Sequence, residues 1–219
     1  MSDDAASAFT QARHQGLASM RRALLDTASR LLAEEGPGAL TMRRIAAAAG
    51  CSTTVLYTAF GGKDGLANAL YREGFERLER RLTEAASRVE RPDDPLAVAT
   101  ALAIAYRTSA LEDRNYYGVM HLRAIPGFVP SAESVAFGNT TLGLLADAVR
   151  DGIAAGLLVP TDPEAVAEVL WAAAHGVVSL ELAGHFPDPE IALDRYRTLT
   201  RAALGAFLAD QGAVEPSSS

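Results

Sequence analysis

Residues 41–66 read TMRRIAAAAGCSTTVLYTAFGGKDGL, and the order of small, polar and apolar residues in this stretch decides the fold. Thr41 stands at an N-cap position ahead of MRRIAAAA, and Gly50 closes that very short helix. Ser52 is the next N-cap candidate and opens TTVLYTAF, which Gly61-Gly62 stops before a longer helix begins at Lys63. Two short helices around Ala49-Gly50-Cys51 have helix–turn–helix spacing. Gly50 permits the sharp reversal, and Ala46 to Ala49 let the second helix pack close. That second helix offers Val55, Leu56 and Phe60 for burial and leaves Ser52, Thr53, Thr54, Tyr57 and Thr58 as its polar side. Such a surface could enter a DNA major groove, with small hydroxyls reaching base edges or phosphates.

Helical periodicity continues on both sides. Upstream, Leu17, Met20, Leu24, Ala28 and Leu31 step by three and four, and Gly36-Pro37-Gly38 ends that helix. Downstream, Leu66, Leu70, Gly74, Leu78 and Leu82 form a row at intervals of four. Punctuation at 91–95, 126–130, Gly156, 160–163 and 188–190 divides the remainder into helices expected at 96–112, about 114–124, 131–155, from Pro163 to Gly184, and from Pro189 to near Asp210. LLVP at 157–160 is too short to count as a strand, and the tail GAVEPSSS is expected to fray. The reading is all-α with nine or ten helices. A three-helix module spans 17–62, and a larger helical domain for dimerisation and effector binding spans 63–211.

The chain has 219 residues, 49% of them apolar, and a net charge of −7, which excludes polycation-style coating of nucleic acid. The charge is uneven: residues 13–63 carry a net +4. Within that module Arg43 and Arg44 are candidates for phosphate or a guanine edge. Lys63 opens a helix whose N–H groups already favour anions, so it is a candidate phosphate ligand, as is the cap Thr41. One cysteine, Cys51, and four scattered histidines give no metal-ligand spacing, and no metal or cofactor is expected. No nucleophile–base pair, GxSxG, phosphate-binding glycine loop or HExxH is present, so no catalytic residue is assigned and no enzyme is expected. No apolar run approaches the roughly 20 residues of a membrane span, and MSDDAASAFTQ lacks the features of a secretory signal, so a soluble cytoplasmic protein is expected.

Residues 41–66 resemble the tetracycline-repressor (TetR) family of bacterial transcriptional regulators. Thr41, Ile45, Ala46, Ala49, Gly50, Ser52, Leu56, Tyr57, Phe60, Lys63 and Leu66 fit its pattern, while Cys51, Thr54 and Ala59 stand where Val, Gly and an aromatic or His are more usual. WAAAHGVVSLEL at 171–182 is similar to the Trp-His-Gly motif of one C-terminal domain class of that family. The resemblance implies a homodimer that binds double-stranded operator DNA and holds a small effector between the helices of each subunit. Tyr106, Tyr116, Tyr117, Met120, His121 and Phe137, with Trp171 and His175, form the candidate ligand set. They are mostly aromatic with few charges, which suits an apolar or aromatic molecule. Taken alone, His175 reads as a core histidine hydrogen-bonded across helices. The alternative for the whole chain is an all-α ligand-binding or protein-interaction module without specific DNA binding.

Overall fold

Glycine and proline set the helix ends. The computed structural model describes the backbone of residues 2–91 and 94–209, and the side chains of 10–91 and 94–209. These residues form α1 (Ser2–Glu35), a 3-10 turn (Pro37–Ala39), α2 (Met42–Ala49), α3 (Thr53–Phe60), α4 (Lys63–Ser87), α5 (Pro95–Glu112), α6 (Arg114–His121), α7 (Ala132–Ala154), α8 (Pro163–Leu182) and α9 (Pro189–Gly205). Gly50 closes α2 and Gly61 closes α3, both in the left-handed conformation that L-residues avoid. Asp162 and Asp188 cap α8 and α9 by accepting from Glu164 N and Glu190 N, each ahead of a first-turn proline.

The chain divides into two compact units. The first comprises the chain up to Arg77 together with Asp113–Gly138, and so extends past the expected boundary at 62/63. Its core is built by Leu24, Leu25, Ala28, Leu31 and Leu32 of α1, Ile45 and Ala46 of α2, Leu56 and Phe60 of α3, and Leu66 and Leu70 of α4. α1 begins fifteen residues before Leu17, the first apolar position of its periodic face, because a stretch with Ala5, Ala6, Ala8 and Ala12 and no Pro sustains a helix, of which residues 10–23 are exposed.

The second unit comprises Leu78–Glu112 and the chain from Asn139 onward. Val149, Leu158, Val166 and Leu170 are its inner cluster, with Leu145, Ala203, Leu204 and Phe207 packed against them. α9 ends at Gly205, short of the expected Asp210, because the chain then pairs with LLVP: Val159 N donates to Phe207 O at 2.9 Å and Ala209 N to Leu157 O at 3.0 Å. Asp210 and the tail expected to fray lie outside the described residues.

One sequence expectation, the lack of a span-length apolar segment, is corrected by the structure. α8 is long and apolar enough to cross a membrane on length and composition, with a mean hydropathy of 1.4 over its best 18-residue window. Glu164, Glu168 and His175 interrupt its apolar runs, which is why it did not read as one. Ala192 and Tyr196 of α9 are fully buried, and the Tyr196 hydroxyl donates to Ala103 O. The large apolar side chains that α9 exposes are Ile191 and Leu199.

Candidate nucleic-acid interface

The two faces of α3 separate as the sequence requires. Leu56 and Phe60 are buried and Val55 is half-buried, while Ser52, Thr53, Thr54, Tyr57 and Thr58 are exposed. Ser52 occupies the N-cap position but its side chain makes no capping bond, so its hydroxyl is not committed to the helix end. The Thr41 hydroxyl does cap α2, accepting from Arg44 N at 3.2 Å. Among the described residues Arg43 and Lys63 have no ion-pair partner, and both are exposed. Arg44 differs: its guanidinium grips the Glu35 carboxylate through two nitrogens, with Nε at 3.0 Å. That hydrogen bond holds the Glu35 carboxyl below its usual range.

Arg21 is the positioning residue that periodicity alone did not single out. It donates to Ala59 O at the last turn of α3 and lies 4.6 Å over the Phe60 ring, so α1 holds the C-terminal end of the exposed helix. At the same end Gly61 and Gly62 fold the chain back tightly, and a Cβ placed at Gly65 would fall 1.8 Å from Phe60 O. Lys63 therefore sits at a corner whose shape is set by backbone contact.

The eight candidate ligand residues fall into two sets. Tyr116, Tyr117, Met120, His121 and Phe137 belong to the first unit, and Tyr106, Trp171 and His175 to the second. In the first, Tyr117 and Phe75 both pack against the His121 ring, and Arg72 lies 4.9 Å over Phe137. In the second, Tyr106 OH and His175 Nδ1 are 3.1 Å apart, Ser179 Oγ lies 3.3 Å from His175 Nε2, and Trp171 packs on the His175 ring at 5.4 Å. Burial holds the His175 imidazole below its ordinary pKa, so it is neutral at pH 7 and bridges two hydroxyls. Beside it, Arg107 of α5 makes a nearly buried two-point pair with Glu181 of α8. A groove of about 770 Å³ along α4 and α5 of this unit is lined by Arg81, Arg88, Arg91, Ile104 and Thr108 among others, and by none of the eight.

Comparison with known proteins bears on this geometry directly. Residues 24–70 match the family described as bacterial regulatory proteins, tetR family, and residues 99–206 match the tetracyclin repressor-like C-terminal domain. The chain belongs to the TetR family. It is 34% identical over 91 residues to an uncharacterized HTH-type transcriptional regulator of Mycobacterium tuberculosis, a match covering 42% of this chain and 44% of that protein. The chain thus spans under half the length of the curated relatives it matches. A solved protein of unknown function from Rhodococcus sp. RHA1 is 30% identical with a TM-score of 0.70, covering 84% of this chain and 95% of that one. A TetR family transcription regulator from Marinobacter aquaeolei VT8 shares the fold at 20% identity, with a TM-score of 0.70 over 90% of this chain and 99% of that one.

In this TetR-family chain the first unit also contains a charge cluster that no local motif announces. Arg77 of α4 donates to Glu73 at 2.8 Å, to Asp26 of α1 at 2.6 Å and to Asp113, just before α6, at 3.3 Å. Its guanidinium lies 4.4 Å over the Tyr116 ring, and Tyr116 OH donates to Asp26 at 3.0 Å. Burial raises the Tyr116 pKa, so the hydroxyl stays a donor. Tyr116, one of the candidate ligand residues, donates its hydroxyl to α1. The only sequence signal for the cluster was the Glu73/Arg77 spacing of four on one helix.

Proposed function

We propose that this chain is a one-component, DNA-binding transcriptional regulator, and specifically a repressor that a small organic effector releases from its operator. The observation that carries the reading is α3: a helix anchored by Leu56 and Phe60 that presents Thr53, Thr54, Tyr57 and Thr58 to solvent, beside Arg43 and Lys63. Small hydroxyls suit base edges, and flanking cations suit phosphates. The rival reading, a ligand-binding module without specific DNA binding, predicts no sequence enrichment from random duplex DNA. Selection on random duplexes is the deciding experiment, and a recovered consensus is expected. With that duplex, Lys63→Ala should weaken binding to all sequences and lower the log–log salt slope by about 0.9 per phosphate contact. Thr53→Ala should instead alter preference at one base pair per half-site. Wild-type behaviour of both variants would remove this face from the interface.

One helix–turn–helix touches too few bases for a regulator, so the working species is a homodimer with two half-sites. The exposed side of α8 is the proposed seam: Val169 and Leu180 are 49% and 45% exposed, and a Cβ at Gly176 would meet nothing within 4 Å in the chain itself. Only 33% of the most apolar window of α8 is buried, and a second copy would cover the rest. Gly176→Leu is expected to leave the fold intact, by circular dichroism, and to convert the dimer to a monomer in sedimentation at micromolar concentration. A wild-type monomer under those conditions would exclude the seam.

The effector reading rests on the aromatic residues and on the polar chain Tyr106–His175–Ser179 of the second unit. An apolar or aromatic molecule with one or two polar atoms suits such residues. Release requires the effector to favour a state whose recognition helices misfit half-sites ~34–36 Å apart. Its action is then cytoplasmic, where the DNA is.

A further inference from the structure

α1 does not stop at the edge of the module it helps to build. Every residue from Thr10 to Ala23 is exposed, whereas Leu24 and Leu25 are 4% and 2% exposed. Eighteen residues of α-helix make five whole turns, so residues eighteen apart share one angular position. Arg13 therefore lies on the line of Leu31, which is 1% exposed, and His14 on the line of Leu32, which is 7% exposed. The side of α1 that buries leucines inside the first unit thus continues upstream past Leu17 and turns basic where no part of that unit covers it. Residues 5–25, AASAFTQARHQGLASMRRALL, contain three arginines, one histidine and no acid, in a chain of net charge −7. Two of those arginines are engaged: Arg21 at the end of α3, and Arg22 with Glu73 at 3.8 Å. Arg13 has no ion-pair partner among the described residues.

We infer that the upstream arm of α1 is a second DNA-contacting element, with Arg13 binding backbone phosphate outside the groove that α3 enters. This rests on the DNA-binding reading above and deepens it. Three observations single out duplex DNA as the partner. The arm springs from the point where Arg21 holds the last turn of α3, next to the corner that carries Lys63. Eight residues of helix carry Arg13 about 12 Å beyond Arg21, the scale of a further step along a phosphate backbone. The charge is of the sign a polyanion selects, and among the described residues upstream of Leu24 the large apolar side chains are Leu17 and Met20, both exposed. A free helix of this length is only marginally stable in water, so contact with DNA would also order it further.

The test uses the full chain with a duplex recovered by selection and with a random-sequence duplex of equal length, titrated over a range of salt. Arg13→Gln is expected to lower the salt slope by about 0.9 per protomer, roughly 2 for a dimer, on both duplexes alike. The consensus should be unchanged, and Arg13→Glu should weaken binding further. Arg13 makes no ion pair, so helicity and unfolding midpoint should match the wild type. If the wild type binds DNA and both variants keep its slope and affinity, the arm plays no part and the inference fails while the helix–turn–helix reading stands. A variant that shifts the oligomeric state instead would make the arm a protein contact and overturn the inference. No duplex binding by the wild type would remove both readings.

Discussion

Gly65→Ala is expected to destabilise the protein by about 1–3 kcal/mol, although alanine is the better helix former. Gly65 is exposed in the first turn of α4, a position where the exchange alone should raise stability by about 1 kcal/mol. The sign reverses because the added Cβ would lie 1.8 Å from Phe60 O and 3.0 Å from Phe60 C, and both partners are backbone. Neither can swing aside without moving the end of α3 or the start of α4. Gly74 is the internal control: its Cβ would meet Met120 Sδ at 2.5 Å, but a methionine side chain has rotamers to escape into, so Gly74→Ala should cost much less. Urea unfolding measures both. Because the same corner sets Lys63 against α3, Gly65→Ala should also lose affinity for the selected duplex out of proportion to its loss of stability. A Gly65→Ala protein as stable as the wild type would show that the corner is not held by this contact.

Arg77→Met should be the more damaging change, at about 2–4 kcal/mol after discounting for partial exposure. The arginine serves carboxylates on α1, α4 and the residue preceding α6, and its own side chain is 20% exposed against 7% for Glu73. Removing it takes from the nearly buried Glu73 its 2.8 Å guanidinium partner and leaves the more distant Arg22 at 3.8 Å, and weakening a buried pair in this way is expensive. Arg77→Lys should recover little, since one ammonium cannot reproduce three forked contacts and the stacking on Tyr116. Pairing Arg77→Met with Glu73→Gln should recover a measurable part of the loss, because the buried carboxylate that Arg77 had held at 2.8 Å is then neutral. If the double variant is merely as unstable as the sum of the two, the cluster is not coupled and its geometry carries no energy. Since the contacts join α1 to the segment around α6, the single variant should also loosen the helix that holds α3 through Arg21.

Local chemistry was legible in the residues: where helices start and stop, and which side of α3 is wet. Caps, glycine reversals and a period of 3.6 act over three or four residues, so Thr41, Gly50, Gly61, Asp162 and Asp188 could be read directly as helix ends. The polar side of α3 followed from the same short range. The family pattern, which lies in contiguous residues, was equally legible. What a side chain does with a distant partner was not. Arg44 and Arg43 look alike in sequence, yet one is gripped by Glu35 across a turn and the other stands free of ion pairs. Arg77 gathers residues 26, 73, 113 and 116 only once three helices are packed. Periodicity gives a stripe on α9 and not its direction; the fully buried Tyr196 faces inward, where its hydroxyl donates to a backbone carbonyl on α5. The candidate ligand residues, neighbours in composition, went to two different units for the same reason. Hydrophobic period, capping and turn chemistry are properties of a segment, whereas ion pairing and the choice of buried face depend on which segments meet. Those choices belong to tertiary packing, where burial makes a paired charge stable and an unpaired one costly.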